Sequence, residues 1–141
     1  MLTAALIAVV PGRLPRVPDL QAELRAFDAV ERQAIDAYNA ALQPGKKLTD
    51  LEIAAVIDQQ VLPPWRQFAD RWSAMSRVRR LPAEQKDRII RISRYLDLRD
   101  RGWATFSEAL RAGDQAKADR AVALLKESES VFKDGSGASP K

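Results

Sequence analysis

The sequence predicts an all-α fold, specifically an up-down-up-down four-helix bundle with a long, proline-bent second helix and a flexible C-terminal tail. Three observations predict it. Apolar residues recur at steps of three and four from residue 19 to about 132, the period of a helix with one buried face. Short breaks containing proline or glycine divide that register into four stretches. The chain has 141 residues, 46% of them apolar, which suffices for one domain with a single core.

The first helix is expected near residues 19–42. Leu20, Leu24, Phe27, Val30, Ala34, Tyr38 and Ala41 follow one face, Asp19 after Pro18 suits the N-cap, and Pro44-Gly45 ends the segment. The short connection to Leu48 implies an antiparallel neighbour. The second helix, near 50–80, has the clearest start in the chain. Thr49-Asp50-Leu51-Glu52 reads as a capping box, with Leu48 and Ile53 in the staple positions. Ala54, Ile57, Val61, Trp65, Phe68, Trp72 and Met75 continue the stripe across Pro63-Pro64. Proline removes an amide donor and crowds the preceding turn, but the register stays in phase from Val61 to Met75, so a bend is expected and not a break.

Leu81-Pro82 marks the next reversal and a third helix near 82–112, with Ile89, Ile92, Leu96, Trp103, Phe106 and Leu110 inside and Arg99 in a slot that no apolar residue fills. Gly113-Asp114 combines a helix stop with a cap. The fourth helix, near 115–132, is expected to bury Ala118, Val122, Leu125 and Phe132. The domain organisation is then an apolar N-terminal segment and Pro/Arg linker over 1–18, a helical bundle over 19–133, and a flexible tail over 134–141. The Ala-rich hairpin around Gly113 resembles a tetratricopeptide pair, but no 34-residue repeat recurs, which excludes a solenoid.

The chain contains no cysteine and no histidine. That removes disulfide frameworks, Cys or His zinc sites, His- or Cys-ligated haem, thiol catalysis and imidazole-dependent mechanisms such as the Ser-His-Asp constellation. A ferritin-type dimetal centre needs Glu-x-x-His pairs, which the chain lacks; a site made only of carboxylates is conceivable, but no two helices show matched interior Glu residues. The aromatic residues 65, 68, 72, 103 and 106 have helical spacing and read as core, not as a cofactor box. Ser136, between two glycines, has no base to activate it. No cofactor and no small-molecule substrate is expected, and the chain reads as a non-enzyme.

Residues 1–10 carry no charge and are followed by Pro11-Gly12, Arg13, Pro15, Arg16 and Pro18. Ten residues span only ~15 Å as a helix, about half of a bilayer core, so the decamer alone is no complete transmembrane span. It is also a poor secretory signal, lacking a preceding cation and a small-x-small cleavage site. It reads either as the end of a membrane helix begun elsewhere, anchored by Arg13 and Arg16, or as a segment packed on the domain.

Two groups of charged residues are candidates for function. Glu31, Asp58 and Arg99 lie on or beside interior stripe positions, and their heights permit a Glu-Arg-Asp bridge across the core; the competing reading is that all three snorkel to solvent. The second group is basic. Arg77, Arg79, Arg80, Lys86, Arg88, Arg91 and Arg94 face only Glu84 and Asp87 between residues 77 and 94. In the expected topology this pole coincides with Arg13, Arg16 and the decamer. An anionic membrane surface would engage both features. The competing reading is that the arginines complement helix termini and that Arg91 and Arg94 pair with Asp87 and Asp97. Nucleic acid is disfavoured, since no exposed aromatic residues interleave with the cations.

Three strings, Ala37-Tyr38-Asn39-Ala40-Ala41-Leu42, Val61-Leu62-Pro63-Pro64-Trp65-Arg66 and Tyr95-Leu96-Asp97-Leu98-Arg99 through Trp103, resemble the helical tail that follows the membrane module in some bacterial rhomboid-family proteins. The resemblance covers residues ~19–130. It implies that residues 1–10 end a last membrane helix and that the chain is an accessory domain. The Gly-x-Ser-Gly motif and histidine of a rhomboid protease are absent, so no protease activity carries over.

The expectation is therefore a helical accessory or interaction domain at the cytoplasmic face of a membrane. The alternative is a cytoplasmic protein-protein adaptor with the N-terminal segment folded onto it.

Overall fold

The computed structural model describes residues 19–77 and 81–133, and these form an all-helical fold. The N-terminal segment 1–18 and the tail 134–141 lie outside the described residues.

Helix α1 runs Leu20–Ala41. Asp19 caps it, its carboxylate accepting from the backbone amides of Gln21 and Ala22 at 3.1 Å each. Helix α2, Asp50–Val56, starts at Thr49 with the complete capping box: the Glu52 amide donates to the Thr49 hydroxyl, and the Thr49 amide donates to the Glu52 carboxylate at 2.7 Å. These bonds hold the Glu52 carboxyl below its ordinary range, the backbone bond most of all.

A π-helical turn, Ile57–Val61, joins α2 to α3, Leu62–Ser76. Its cause is legible in the side-chain spacing. Ile57, Val61 and Trp65 are all buried, and two successive steps of four would drift by about 80° around a regular α-helix. The wider turn absorbs that drift, with the Leu62 amide donating to the Ile57 carbonyl five residues back. Pro63 and Pro64 follow directly and lack the amides that an α-helical ladder would need there.

Helix α4, Ala83–Ala112, ends at Gly113, whose φ of 62° is the left-handed conformation that only glycine adopts without strain. Asp114 then caps α5, Gln115–Lys133, by accepting from the Lys117 amide at 2.9 Å. The core is continuous: Phe27 and Ala34 of α1 meet Ile57, Val61, Trp65, Phe68 and Trp72, and Ile89, Ile92, Tyr95, Leu96 and Trp103 of α4.

Helix α5 approaches α4 closely along its length and comes comparably near no other described helix. Its buried positions correct the sequence reading. Val122 and Phe132, expected inside, are each 41% exposed, and Ala121 and Ser128 are fully buried instead. The cause is the width of the seam. A Cβ on Gly102 would stand 2.7 Å from Leu125 Cδ2, so the two helices touch through small side chains, and an apolar count overlooks Ala and Ser in favour of Val and Phe.

Candidate functional site

The two charged groups singled out in the sequence have different fates. Glu31 and Arg99 do approach, with Arg99 Nη2 3.7 Å from the Glu31 carboxylate. The link between them is Tyr95, one turn before Arg99 on α4. Arg99 Nε donates to the Tyr95 hydroxyl at 3.0 Å, and that hydroxyl donates to the Glu31 carboxylate. The ring is 4% exposed and sits edge-on to Phe27, 5.6 Å between centroids. Burial pushes the phenol up to about 12, helped by the bond to Glu31 and opposed by Arg99.

Asp58 does not join this network. Its carboxylate accepts from the Ser107 hydroxyl at 2.7 Å and pairs with Arg111, both on α4 and two to three turns from Arg99. The bridge from Glu31 through Arg99 to Asp58 is therefore absent among the described residues, and two separate polar clamps stand in its place. The core slots beside them are taken by Ile57 and Leu98, with Val30 packed against the core, while the Asp58 and Glu31 side chains keep 36% and 26% exposure and Arg99 only 14%. Burial raises the Asp58 carboxyl, but the bonds from Ser107 and Arg111 outweigh it and leave the group below its ordinary value. The sequence points to Tyr38 and Tyr95 as possible lining of a pocket but does not link Tyr95 to Glu31 and Arg99, and it offers neither Ser107 nor Arg111 as a partner of Asp58. Arg111 had no detectable signal, whereas Tyr95 lies four residues before the unfilled Arg99 slot and could have been found from that spacing.

Both clamps tie helices together, Glu31 of α1 to α4 and Asp58 of the π turn to α4. The cavity between α3 and α4, about 650 Å³ and lined by Arg66, Asp70, Ser73, Asp97 and Asp100 among others, includes none of the three singled-out residues. Among the described residues no group of His, Cys, Asp or Glu is arranged to hold a metal ion.

The basic group behaves otherwise. Arg77 is the C-cap of α3, and Lys86 and Arg88 lie on the first two turns of α4; all three are exposed. Arg13, Arg16, Arg79 and Arg80 lie outside the described residues. No carboxylate pairs with Arg77, Lys86, Arg88 or Arg91 among the described residues. The competing pairings are not formed: Arg94 reaches Glu127 of α5 at 3.0 Å, and Asp97 takes Arg101 at 3.4 Å. Arg71 near the end of α3 bonds Glu23 in the first turn of α1 at 3.1 Å, so the start of α1 lies near the end of α3 that leads into this basic turn.

No protein family, curated protein or solved structure matches the chain. The fold and its surface chemistry define the class: an all-α helical domain with exposed cations at the end of α3 and the start of α4. Among the described residues no helix is long and apolar enough to cross a membrane.

Proposed function

We propose that the protein is a non-enzymatic accessory domain whose basic pole rests on an anionic membrane surface. The observation behind this reading is the cluster of exposed cations, Arg77, Lys86 and Arg88, for which no ion-pair partner stands among the described residues. Each such cation contributes ~1 kcal/mol next to an anionic leaflet and falls off within a Debye length. The start of α1 lies near the same end, where Glu23 pairs with Arg71 at 3.1 Å. The resemblance to rhomboid-family tails agrees with such a location.

The finer architecture belongs to the same reading: an up-down-up-down course with a bend at Pro63-Pro64. It is supported by pairs that join helix starts to helix ends, namely Glu23 with Arg71, Trp72 with Ile89, Asp58 with Arg111, and Arg94 with Glu127. In that course the start of α1, the end of α3, the start of α4 and the end of α5 share one pole.

Vesicle flotation tests the function. The full chain should rise with vesicles containing about one-third phosphatidylglycerol at low salt, stay behind at high salt, and ignore neutral phosphatidylcholine vesicles. Absence of flotation on anionic vesicles ends the membrane reading. The second reading, a protein-protein adaptor, is favoured by Leu42 and Leu51, 48% and 58% exposed on either side of the α1–α2 loop.

A further inference from the structure

A cavity of about 420 Å³ opens between the last turn of α3 and the first turns of α4, lined by Ser76, Leu81, Lys86, Ile89, Ile90 and Ser93. Its apolar wall is Leu81 and Ile89, 9% and 5% exposed. At its edge stands Ile90, 64% exposed, the most exposed of the large apolar side chains among the described residues. Lys86, Ile90 and Ser93 follow steps of four and three, so one face of α4 supplies that side of the cavity.

The polar groups of the wall are mostly committed. Ser76 Oγ donates to the Ser73 carbonyl at 2.7 Å, and Ser93 Oγ donates to the Ile89 carbonyl at 2.8 Å. The Ile89 carbonyl also accepts from Trp72 Nε1 at 3.3 Å. With both hydroxyl protons directed to the backbone, the two serines keep only acceptor oxygens, and the charged group of the lining is the Lys86 ammonium. Arg88 and Arg91 are turned about 140–160° from Lys86 around α4, and on the side of Ile90 stand Asp87 at i−3 and Arg94 at i+4, the latter paired with Glu127 at 3.0 Å.

An apolar recess with a lysine at its rim matches one kind of ligand, an amphiphile with an anionic head. The geometry points to this cavity as a binding site for a single anionic phospholipid, its phosphate against the Lys86 ammonium and an acyl chain along Leu81, Ile89 and Ile90. The inference rests on the membrane reading and deepens it: the bilayer supplies the ligand, and Ile90 is the side chain that enters the interface. A solitary exposed isoleucine is ordinary on a protein surface. One beside an apolar recess and a single turn from a lysine unpaired among the described residues is the arrangement that interfacial anchors use.

The test uses the full chain with methyl-labelled isoleucine and monomeric dihexanoyl phosphatidylglycerol, followed by NMR. The Ile89 and Ile90 methyl signals should shift saturably, and those of Ile35 and Ile53 should not. The zwitterionic choline analogue should bind about fivefold more weakly, and so should the lipid to Lys86→Gln. Ile90→Ser should weaken binding about tenfold or more, with an unchanged melting temperature because the residue is exposed. Shifts absent from Ile89 and Ile90, or an Ile90→Ser variant that binds like the parent, overturn the site even if vesicle flotation persists; surface charge alone then explains that flotation. Saturable shifts without vesicle flotation uphold the site and remove the membrane-surface reading. Equal affinity for both lipids overturns the role of Lys86.

Discussion

The indole nitrogen of Trp65 lies 3.2 Å from the carbonyl oxygen of Leu96, and one heptad away Trp72 repeats the arrangement with Ile89 at 3.3 Å. Both donors are 1% exposed. The two bonds set the register of α3 against α4 at points that a purely apolar interface would leave free to slide. An indole N–H buried without a partner costs about 1–3 kcal/mol, so these carbonyls also satisfy what burying two tryptophans demands.

Substitution of these two residues should therefore cost more than loss of ring area alone. Trp65→Phe and Trp72→Phe are each expected to lower stability by about 1–3 kcal/mol in urea unfolding. Trp103→Phe is the comparison. Trp103 is 7% exposed and stacks edge-on with Tyr38 at 4.9 Å, but its indole nitrogen has no hydrogen bond to the described residues. Its replacement should cost less than either of the others. Equal losses at all three positions would show that the bonds contribute nothing.

The seam between α4 and α5 depends on Gly102. A Cβ there would meet Leu125 Cδ2 at 2.7 Å and Cγ at 2.8 Å. Replacing a mid-helix glycine by alanine gains about 1 kcal/mol of helix propensity, which opposes the clash. Gly102→Ala should hence be close to neutral. Gly102→Val should lose about 1–3 kcal/mol because a branched side chain cannot avoid Leu125. In a Leu125→Ala background the valine should be tolerated better, and thermal melts of the four-member cycle measure that coupling.

Much of this fold is legible in the sequence where local chemistry decides it. The Thr49–Glu52 box, the Asp19 cap and the Gly113-Asp114 stop each involve residues within four positions of one another, and each forms. The aromatic stripe is legible because Trp65, Phe68 and Trp72 are too large to leave in water. The face of α5 is not, because its burial is decided by the glycine opposite it and not by its own apolarity. The polar clamps are likewise decided across helices: Asp58 and Arg111 are 53 positions apart, and Glu31 and Tyr95 are 64 apart. Periodicity places such residues on faces but does not choose their partners. The π turn lies between these cases, since the repeated step of four from Ile57 to Trp65 contains it but reads equally well as a regular stripe.

Asp58 should make the protein sensitive to acid. Its carboxyl lies below the ordinary value of 3.8 despite burial, so the charged form is favoured in the fold. Its contribution to stability is complete above the unfolded-state value and disappears as pH falls through the lower folded-state value. Asp58→Asn should lose stability at neutral pH and show a shallower decline between about pH 5 and pH 2. Ser107→Ala should move the parent in the same direction by a smaller amount, leaving the Arg111 pair in place. Chemical unfolding at a series of pH values reads both slopes, and parallel curves for parent and Asp58→Asn would remove the carboxylate from the account.

Tyr95 should act at the alkaline end with the opposite sign. The phenol rises from 10.0 to about 12, first through burial and then through its bond to Glu31, so the neutral form is favoured in the fold. Stability from this group is complete below about pH 10 and is lost as pH rises through about 12, a loss of order 2 kcal/mol. The chain has two tyrosines, and burial raises Tyr38 as well. Absorbance titration should accordingly show no tyrosinate at the ordinary pH in the folded chain, and a step near the top of the range that vanishes in Tyr95→Phe. At neutral pH the same variant removes the hydroxyl between Arg99 and Glu31, leaving them as a 3.7 Å ion pair, and should cost about 1–2 kcal/mol. That deficit should shrink as pH climbs from 10 toward 12, because only the parent then has a phenol to ionise. A deficit that stays constant across this window would mean that Tyr95 is held by its ring contacts with Phe27 and Phe132 and not by its hydroxyl.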